Sequence, residues 1–124
     1  MNFNSILIGS DNPQRLTTYY TQVLGKPRYE GEGYAAWLIG DGAITVGLHS
    51  EVHGSNQEPG RVIWNIESDD VKGDFAKLRD AGATVIREPY AFGDEPNQAW
   101  IATFADPDGN FFQLTSPFEM PNQG

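Results

Sequence analysis

The order of secondary-structure elements predicted for this chain occurs twice, and this repeat limits the folds open to it. A strand, a helix and three further strands in residues 1–50 are followed by a polar linker at about 50–60 and the same order in residues 61–116. The repeat distance is about 58 residues, and it shows in element order more clearly than in residue identity. Neither half can bury both faces of its own sheet, so we expect two βαβββ modules that pack together as one α+β domain over 1–124.

Gly, Pro and Asp residues divide the first module into short elements. The pattern predicts a strand over 3–8 and a helix that begins at Pro13, with Asp11 or Asn12 as its cap. Gly25 and Pro27 end this helix. Its apolar face is formed by Leu16, Tyr20, Val23 and Leu24. Three strands are predicted at 28–30, 34–39 and 44–49.

The second module repeats this order. A strand over 62–66 precedes a helix that is capped by Asp69 or Asp70 and closed by Gly82. Further strands are predicted at 83–87, 99–104 and 111–115. The tail from Pro117 onwards is rich in Pro, Asn and Gly, and we expect it to be loose.

Charge and cysteine content exclude several classes of partner. The 124 residues include 8 Lys and Arg against 17 Asp and Glu, which gives a net charge of −9 at pH 7. Such an acidic chain repels nucleic-acid phosphates and anionic membrane surfaces, so we expect neither as a partner. The absence of cysteine excludes disulfides and thiolate metal sites. With no long apolar run and no leader pattern, a cytoplasmic location is expected.

Three motifs give the chain a family resemblance. Residues 12–25 resemble a first-helix motif D-P-x-R-L-x-x-F-Y…L-G, residues 69–83 resemble D-D-V…A-G-A, and residues 106–111 resemble a D-P-D-G-N turn. In this order they are similar to the vicinal oxygen chelate superfamily of glyoxalases, bleomycin-resistance proteins and extradiol dioxygenases. The resemblance implies two βαβββ modules that form a curved mixed-sheet cleft with the helices outside. It also implies a homodimer, with the cleft completed by the partner or by the second module.

The resemblance further implies a divalent metal, and the residues at its positions argue against one. Catalytic members of the superfamily hold the metal with His, Glu or Gln from the first and last strands of the modules. The corresponding positions are Ser5 (or Asn4), Gly47, Ile63 and Gln113. Since at most one conventional ligand remains, we expect no cofactor. The alternative is one divalent metal at a shifted site that uses His49, Glu51 and His53, or His49, His53 and Gln113.

Strand alternation selects the residues expected to line the cleft. Trp64 and Ile66 are predicted to face the helix, which leaves Ile63 and Asn65 toward the cleft. In the last strand Phe112 and Leu114 are predicted to face the core. Trp37 and Trp100 lie in equivalent third strands of the two modules, which suggests matching positions near the cleft mouths. The predicted lining of the ligand site comprises Trp37, Ile63, Asn65, Trp100, Phe111 and Gln113, with Thr115 beside them. Such a cleft is apolar with a few polar anchors, as small-molecule sites are.

Three functions are compatible with these residues. The first is a metal-free protein that binds an apolar or aromatic compound. This compound could be cationic, because the acidic surface would attract a positive charge. The second is a lyase, isomerase or dioxygenase with the shifted metal site. The third is a metal-independent enzyme with Glu67 as general base. The count of metal ligands favours binding over catalysis.

Overall fold

This computed structural model describes residues 1–94 and 98–117. Within them the elements are β1 (Ser5–Ser10), α1 (Pro13–Leu24), β2 (Tyr29–Gly31), β3 (Tyr34–Ile39), β4 (Gly42–Leu48), β5 (Trp64–Glu67), α2 (Val71–Asp80), β6 (Thr84–Phe92), β7 (Ala99–Ala105) and β8 (Phe111–Thr115). The tail that was expected to be loose lies almost wholly at residues 118–124, outside the described residues.

The strands form two four-stranded mixed sheets, one from each module. Sheet A has the order β1-β4-β3-β2 and sheet B the order β5-β8-β7-β6. In each sheet the first strand of the module pairs in parallel with the last, and the other pairs are antiparallel. The predicted α+β class with two βαβββ modules is therefore confirmed.

Both helices begin and end as their sequence signals predict, but their caps differ. Pro13 occupies the first turn of α1, and Gly25 with φ of 95° follows its last residue. Asn12 is the N-cap of α1 without a side-chain capping bond, whereas the Asp70 carboxylate accepts a hydrogen bond from the Gly73 amide at the start of α2. Of the helices in the described residues, none is long and apolar enough to cross a membrane.

The largest error in the predicted strand boundaries concerns β6. The prediction ended this strand at Arg87, but the strand continues through Pro89 to Phe92. Proline is tolerated here because β6 is the edge strand of sheet B and its pairing with β7 contains two register shifts.

Helix α1 packs against both sheets. The Tyr20 ring lies 5.8 Å from the ring of Trp37 in sheet A, and 6.1 Å and 5.8 Å from Trp64 and Phe112 in sheet B, between ring centroids. These residues belong to one buried cluster that both modules share. We call the side of each sheet that contacts this cluster its core face and the opposite side its open face. The two open faces therefore point away from the shared core.

Buried hydrogen bonds join the modules at the turn before β8. The Tyr20 hydroxyl donates to Asp106 over 2.7 Å, and the Ser10 hydroxyl donates to Asp108 over 2.6 Å. Arg15 forms an ion pair with Asp108. Burial raises the pKa of Asp106 and of Tyr20 above their ordinary values. The third motif of the resemblance therefore has a structural role, because its aspartates attach module two to the first helix.

Candidate ligand-binding site

The open face of sheet A is mainly apolar. Cross-strand pairing places Leu7, Thr45, Ala36 and Tyr29 in one row across its four strands. Four large side chains on this face are exposed: Leu7, Tyr29, Tyr34 and Leu38. Large apolar side chains gathered on one face of a sheet are typical of a surface that contacts a ligand or another chain.

The Tyr34 ring packs against the backbone of a neighbouring strand on this face. It covers Gly47 of the neighbouring strand β4, and a Cβ atom added at Gly47 would clash with Cε1 of Tyr34. No side chain can occupy position 47 while the ring stays there. Glycine at this position thus allows an aromatic side chain to lie flat on the sheet.

The open face of sheet B carries a polar row. Pairing places Arg87, Thr103, Gln113 and Asn65 next to one another on β6, β7, β8 and β5. The Gln113 side-chain amide donates to the Thr103 hydroxyl over 3.1 Å. The adjacent row consists of Tyr90, Ile101, Thr115 and Glu67. This face therefore combines hydrogen-bonding groups with apolar surface.

The structure places some of the predicted lining residues together on one face of sheet B and others elsewhere. Asn65, Phe111, Gln113 and Thr115 lie on the open face of sheet B, because their pairing partners and burial alternate with the buried Phe112 and Leu114. Glu67 is exposed at the end of β5. Their roles in binding or catalysis stay predictions.

The placement of the two tryptophans at the cleft mouths was wrong. Trp37 is 2% exposed on the core face of sheet A, and its indole N–H donates to the Gly25 carbonyl over 2.9 Å. Trp100 lies on the α2 side of sheet B, where the Lys72 ammonium is 3.9 Å from its ring centroid. The two residues do occupy equivalent strands, but alternation directs both toward helices.

Ile63 and Asn65 also line a cavity between the modules. This cavity of about 370 Å³ is bounded by the first residues of β5 and, from sheet A, by residues such as Ile6 and Ile44. Its wall is mostly apolar, and its rim includes Val62, which is 72% exposed. It is therefore a second possible location for an apolar ligand, separate from Gln113 and Phe111.

The residues present do not fit the divalent metal that the resemblance implies. Thr45, and not Gly47, is the residue of module one that is equivalent to Gln113. In module one Thr45 of the last strand pairs with Leu7 of the first strand, and in module two Gln113 pairs with Asn65 in the same way. The four positions thus offer the hydroxyls of Ser5 and Thr45, the amide of Gln113 and no donor at Ile63. Divalent metals in proteins are held mainly by carboxylate, imidazole or thiolate groups, whereas this set offers one conventional ligand, the neutral amide of Gln113, and no charged group.

The strand extension to residue 53 that the shifted metal site requires was wrong. Strand β4 ends at Leu48, so His49, Glu51 and His53 do not share a strand face. The ring nitrogen Nδ1 of His49 accepts a hydrogen bond from the Glu51 amide. In residues 1–94 and 98–117, no three His, Asp or Glu side chains gather closely enough to hold a metal ion. Gln113 lies in the other sheet.

Sequence reasoning missed Arg87 and the exposed residues of sheet A. Arg87 was taken as the last residue of a strand, and its side depends on register shifts that alternation does not reveal. Pro89 inside a strand-like run was the available signal, because proline in a strand indicates an edge or a bulge. Leu7, Tyr29, Tyr34 and Leu38 could have been found by the same alternation that selected the residues of sheet B.

Two mixed sheets built from a repeated βαβββ unit, with apolar and polar side chains on their open faces, define a two-module α+β protein of the vicinal oxygen chelate type. Residues 5–115 match the family model of the glyoxalase-like domain. The chain belongs to this glyoxalase-like family. No curated protein matches it by sequence.

Solved structures share the fold at low sequence identity. A glyoxalase-related enzyme from Fulvimarina pelagi is 16% identical, with a TM-score of 0.71 over 94% of this chain and 88% of the other. A glyoxalase/bleomycin resistance protein/dioxygenase family enzyme from Burkholderia phytofirmans PsJN is 20% identical, with a TM-score of 0.66 over 93% and 98%. TioX from Micromonospora sp. ML1 is 17% identical, with a TM-score of 0.67 over 95% and 100%. At these identities the likeness concerns the fold alone.

Proposed function

We propose that this protein binds an apolar or aromatic small molecule, without a metal, on the open faces of its sheets. The observation that carries the proposal is the group of exposed side chains on the open face of sheet A, formed by Leu7, Tyr29, Tyr34 and Leu38. Tyrosine rings and leucines that are held on a rigid sheet offer preformed contact area for a planar apolar ligand.

A second copy of the chain completes this site. Helix α1 lies between the two core faces, so one chain cannot bring its own open faces together around a ligand. In a two-fold dimer, sheet A of one protomer can face sheet B of its partner, and symmetry then creates two such sites. The apolar side chains of sheet A would be covered in the dimer, which removes their contact with water.

The donor set at the metal positions supports metal-independent binding. Hydroxyl groups from Ser5 and Thr45 and one amide from Gln113 supply no charge to offset the dehydration of a divalent ion. The Gln113 amide already donates to Thr103. The site therefore offers a ligand polar contacts that need no metal between them.

Calorimetric titration with 2-naphthamide, a neutral planar probe, tests the proposal on chelator-treated protein. We expect binding that is unchanged by added Ni²⁺, Zn²⁺, Mn²⁺ or Fe²⁺, and a melting temperature that these metals do not raise. Tyr34→Ala should weaken binding at least several-fold. Val62→Lys, at the rim of the cavity between the modules, is the matched control and should not. A loss with Val62→Lys alone would place the ligand in that cavity instead.

Light scattering after size-exclusion chromatography tests the dimer. We expect a mass of two chains, and a shift toward one chain for Leu38→Lys, which places a charge among the apolar side chains of sheet A. Val62→Lys adds the same charge outside the open faces and should leave the mass unchanged. A wild-type monomer that binds 2-naphthamide would contradict the two-protomer site.

A further inference from the structure

We propose that the open face of sheet B contains an anchor for a carboxylate group of the ligand, formed by Arg87 together with Thr103 and Gln113. The inference rests on the proposed function and names the class of compound that the site takes. That class is a planar apolar body with one carboxylate, in which the body contacts apolar side chains and the carboxylate contacts the arginine.

Two register shifts in β6 determine where Arg87 points. Val85 pairs with Phe104, and without a shift Ile86 would pair with Thr103, so that Arg87 would point to the core face. The shift between Val85 and Arg87 inserts one extra residue into β6, and Arg87 pairs with Thr103 on the open face. Such bulges redirect side chains at sheet edges and near binding sites.

The Arg87 guanidinium is held by stacking and has no carboxylate partner among the described residues. Its Cζ atom lies 3.7 Å from the ring centroid of Tyr90, the next open-face residue of β6. Stacking occupies the face of the guanidinium and leaves the N–H groups along its edge available. The ion pairs of residues 1–94 and 98–117 involve other cations, namely Arg15, Arg61, Lys77 and Arg79.

The neighbours of Arg87 can complete the contacts of a carboxylate. Thr103 is 6% exposed, and its hydroxyl accepts a hydrogen bond from the Gln113 amide and so holds that amide in place, while the second N–H of the amide can be donated to a ligand oxygen. Arg87 pairs with Thr103 and Thr103 pairs with Gln113, so the three residues form one row across adjacent strands that are about 4.8 Å apart. Arginine binds carboxylates through two parallel hydrogen bonds, an arrangement that fixes the orientation of the ligand.

For a carboxylate bound at this position, the positive charge of Arg87 matters more than the negative net charge of the protein. The net charge of −9 favours cations at long range, which is why a cationic ligand was considered from the sequence. At physiological ionic strength, interactions between exposed charges are largely screened beyond about 8 Å. A carboxylate in contact with Arg87 therefore gains more from this one group than it loses to the acidic residues that lie beyond this distance.

Calorimetric titrations with three probes test the anchor: 2-naphthoate, its neutral isostere 2-naphthamide, and cationic 2-naphthylmethylammonium. The wild-type protein should bind 2-naphthoate about 10- to 100-fold more tightly than 2-naphthamide, the range of a hydrogen bond to a charged group. Arg87→Gln should remove this preference by lowering the affinity for 2-naphthoate to about that for 2-naphthamide. Arg87→Lys, which keeps the charge but not the two-pronged geometry, should lose part of it.

Arg61→Gln is the matched control, because it removes an exposed arginine from the segment before β5 and changes net charge equally. It should leave the affinity for all three probes unchanged. Equal wild-type affinity for 2-naphthoate and 2-naphthamide, or tighter binding of the cation, would overturn the carboxylate anchor while the proposed function stands. If none of the probes binds the wild type, the proposed function fails together with the anchor.

Discussion

The hydroxyl of Tyr20, on the helix of module one, donates a 2.7 Å hydrogen bond to the buried carboxylate of Asp106 in module two. Replacing Tyr20 with Phe keeps the ring contacts with Trp37 and Phe112 but removes this donor. We expect the free energy of unfolding to fall by about 1–3 kcal/mol, the usual cost of leaving a buried acceptor short of one partner. Urea denaturation measures this loss.

Tyr29→Phe is the control for this substitution. The Tyr29 side chain is exposed on the open face of sheet A, so loss of its hydroxyl should change stability by less than about 0.5 kcal/mol. If the Tyr20 and Tyr29 variants are equally stable, the hydrogen bond to Asp106 does not contribute to the association of the modules.

The two helix caps predict unequal effects of the same truncation. Asp70→Ala removes the carboxylate that accepts from the Gly73 amide and should cost about 1 kcal/mol. Asn12→Ala at the start of α1 removes a side chain that makes no capping bond, so its cost should be close to zero. Thermal or urea unfolding of both variants checks the difference. An equal loss in the two variants would show that side-chain capping does not distinguish these helix ends.

How far the sequence predicts this protein depends on whether a feature is local. Pro13 and Gly25 determine the bounds of α1 through their own backbone preferences, so both were predictable. The side on which Arg87 lies depends on its register with β7, which is a tertiary property. Trp37 was misplaced because its position was inferred from its equivalence to Trp100 in module two, and the equivalence of two strands does not say which face of the sheet meets the helix.

The position of the metal-ligand equivalents shows the same limit. Gly47 was assigned by counting along the chain, whereas the parallel pairing of β1 with β4 puts Thr45 opposite Leu7. A count is sensitive to a two-residue shift in a loop, but strand pairing is not. The chemistry of the site is correspondingly less predictable than the element order.

The contact between Gly47 and Tyr34 leads us to expect that substitutions of these two residues have coupled effects on stability. Gly47→Ala places a methyl group where the Tyr34 ring lies, so the ring must move and the free energy of unfolding should fall. In a Tyr34→Ala background this clash is gone, and alanine, with less backbone entropy to lose than glycine, should be neutral or stabilising. A double-mutant cycle followed by urea denaturation should give a coupling energy of about 0.5–3 kcal/mol.

Additive effects in this cycle would mean that the ring does not rest on Gly47. Ligand titration adds a second readout, because displacement of the ring should weaken 2-naphthamide binding in the Gly47→Ala protein. Gly42→Ala is a suitable control in the same strand, where the nearest atom to an added Cβ is the Ile39 carbonyl oxygen at 3.8 Å, an ordinary contact.

Asp106 predicts a definite sign for the pH dependence of stability. Burial raises the pKa of this carboxyl in the folded protein above its value of about 3.9 in the unfolded chain. At a pH between these two pKa values, the native state therefore holds up to one more proton than the unfolded chain. The slope of the unfolding free energy with pH is proportional to the number of protons that the unfolded state binds minus the number that the native state binds. Since the native state binds more protons here, the slope is negative for this group. Its contribution is fully present below about pH 4 and is lost as pH rises through the folded pKa, by about 1.4 kcal/mol per pKa unit. Asp106→Asn cannot ionise, so the stability of wild type minus variant should decrease as pH increases from about 3.5 to 7 in urea titrations. A difference that stays constant or increases over this range would show that burial does not control the ionisation of Asp106.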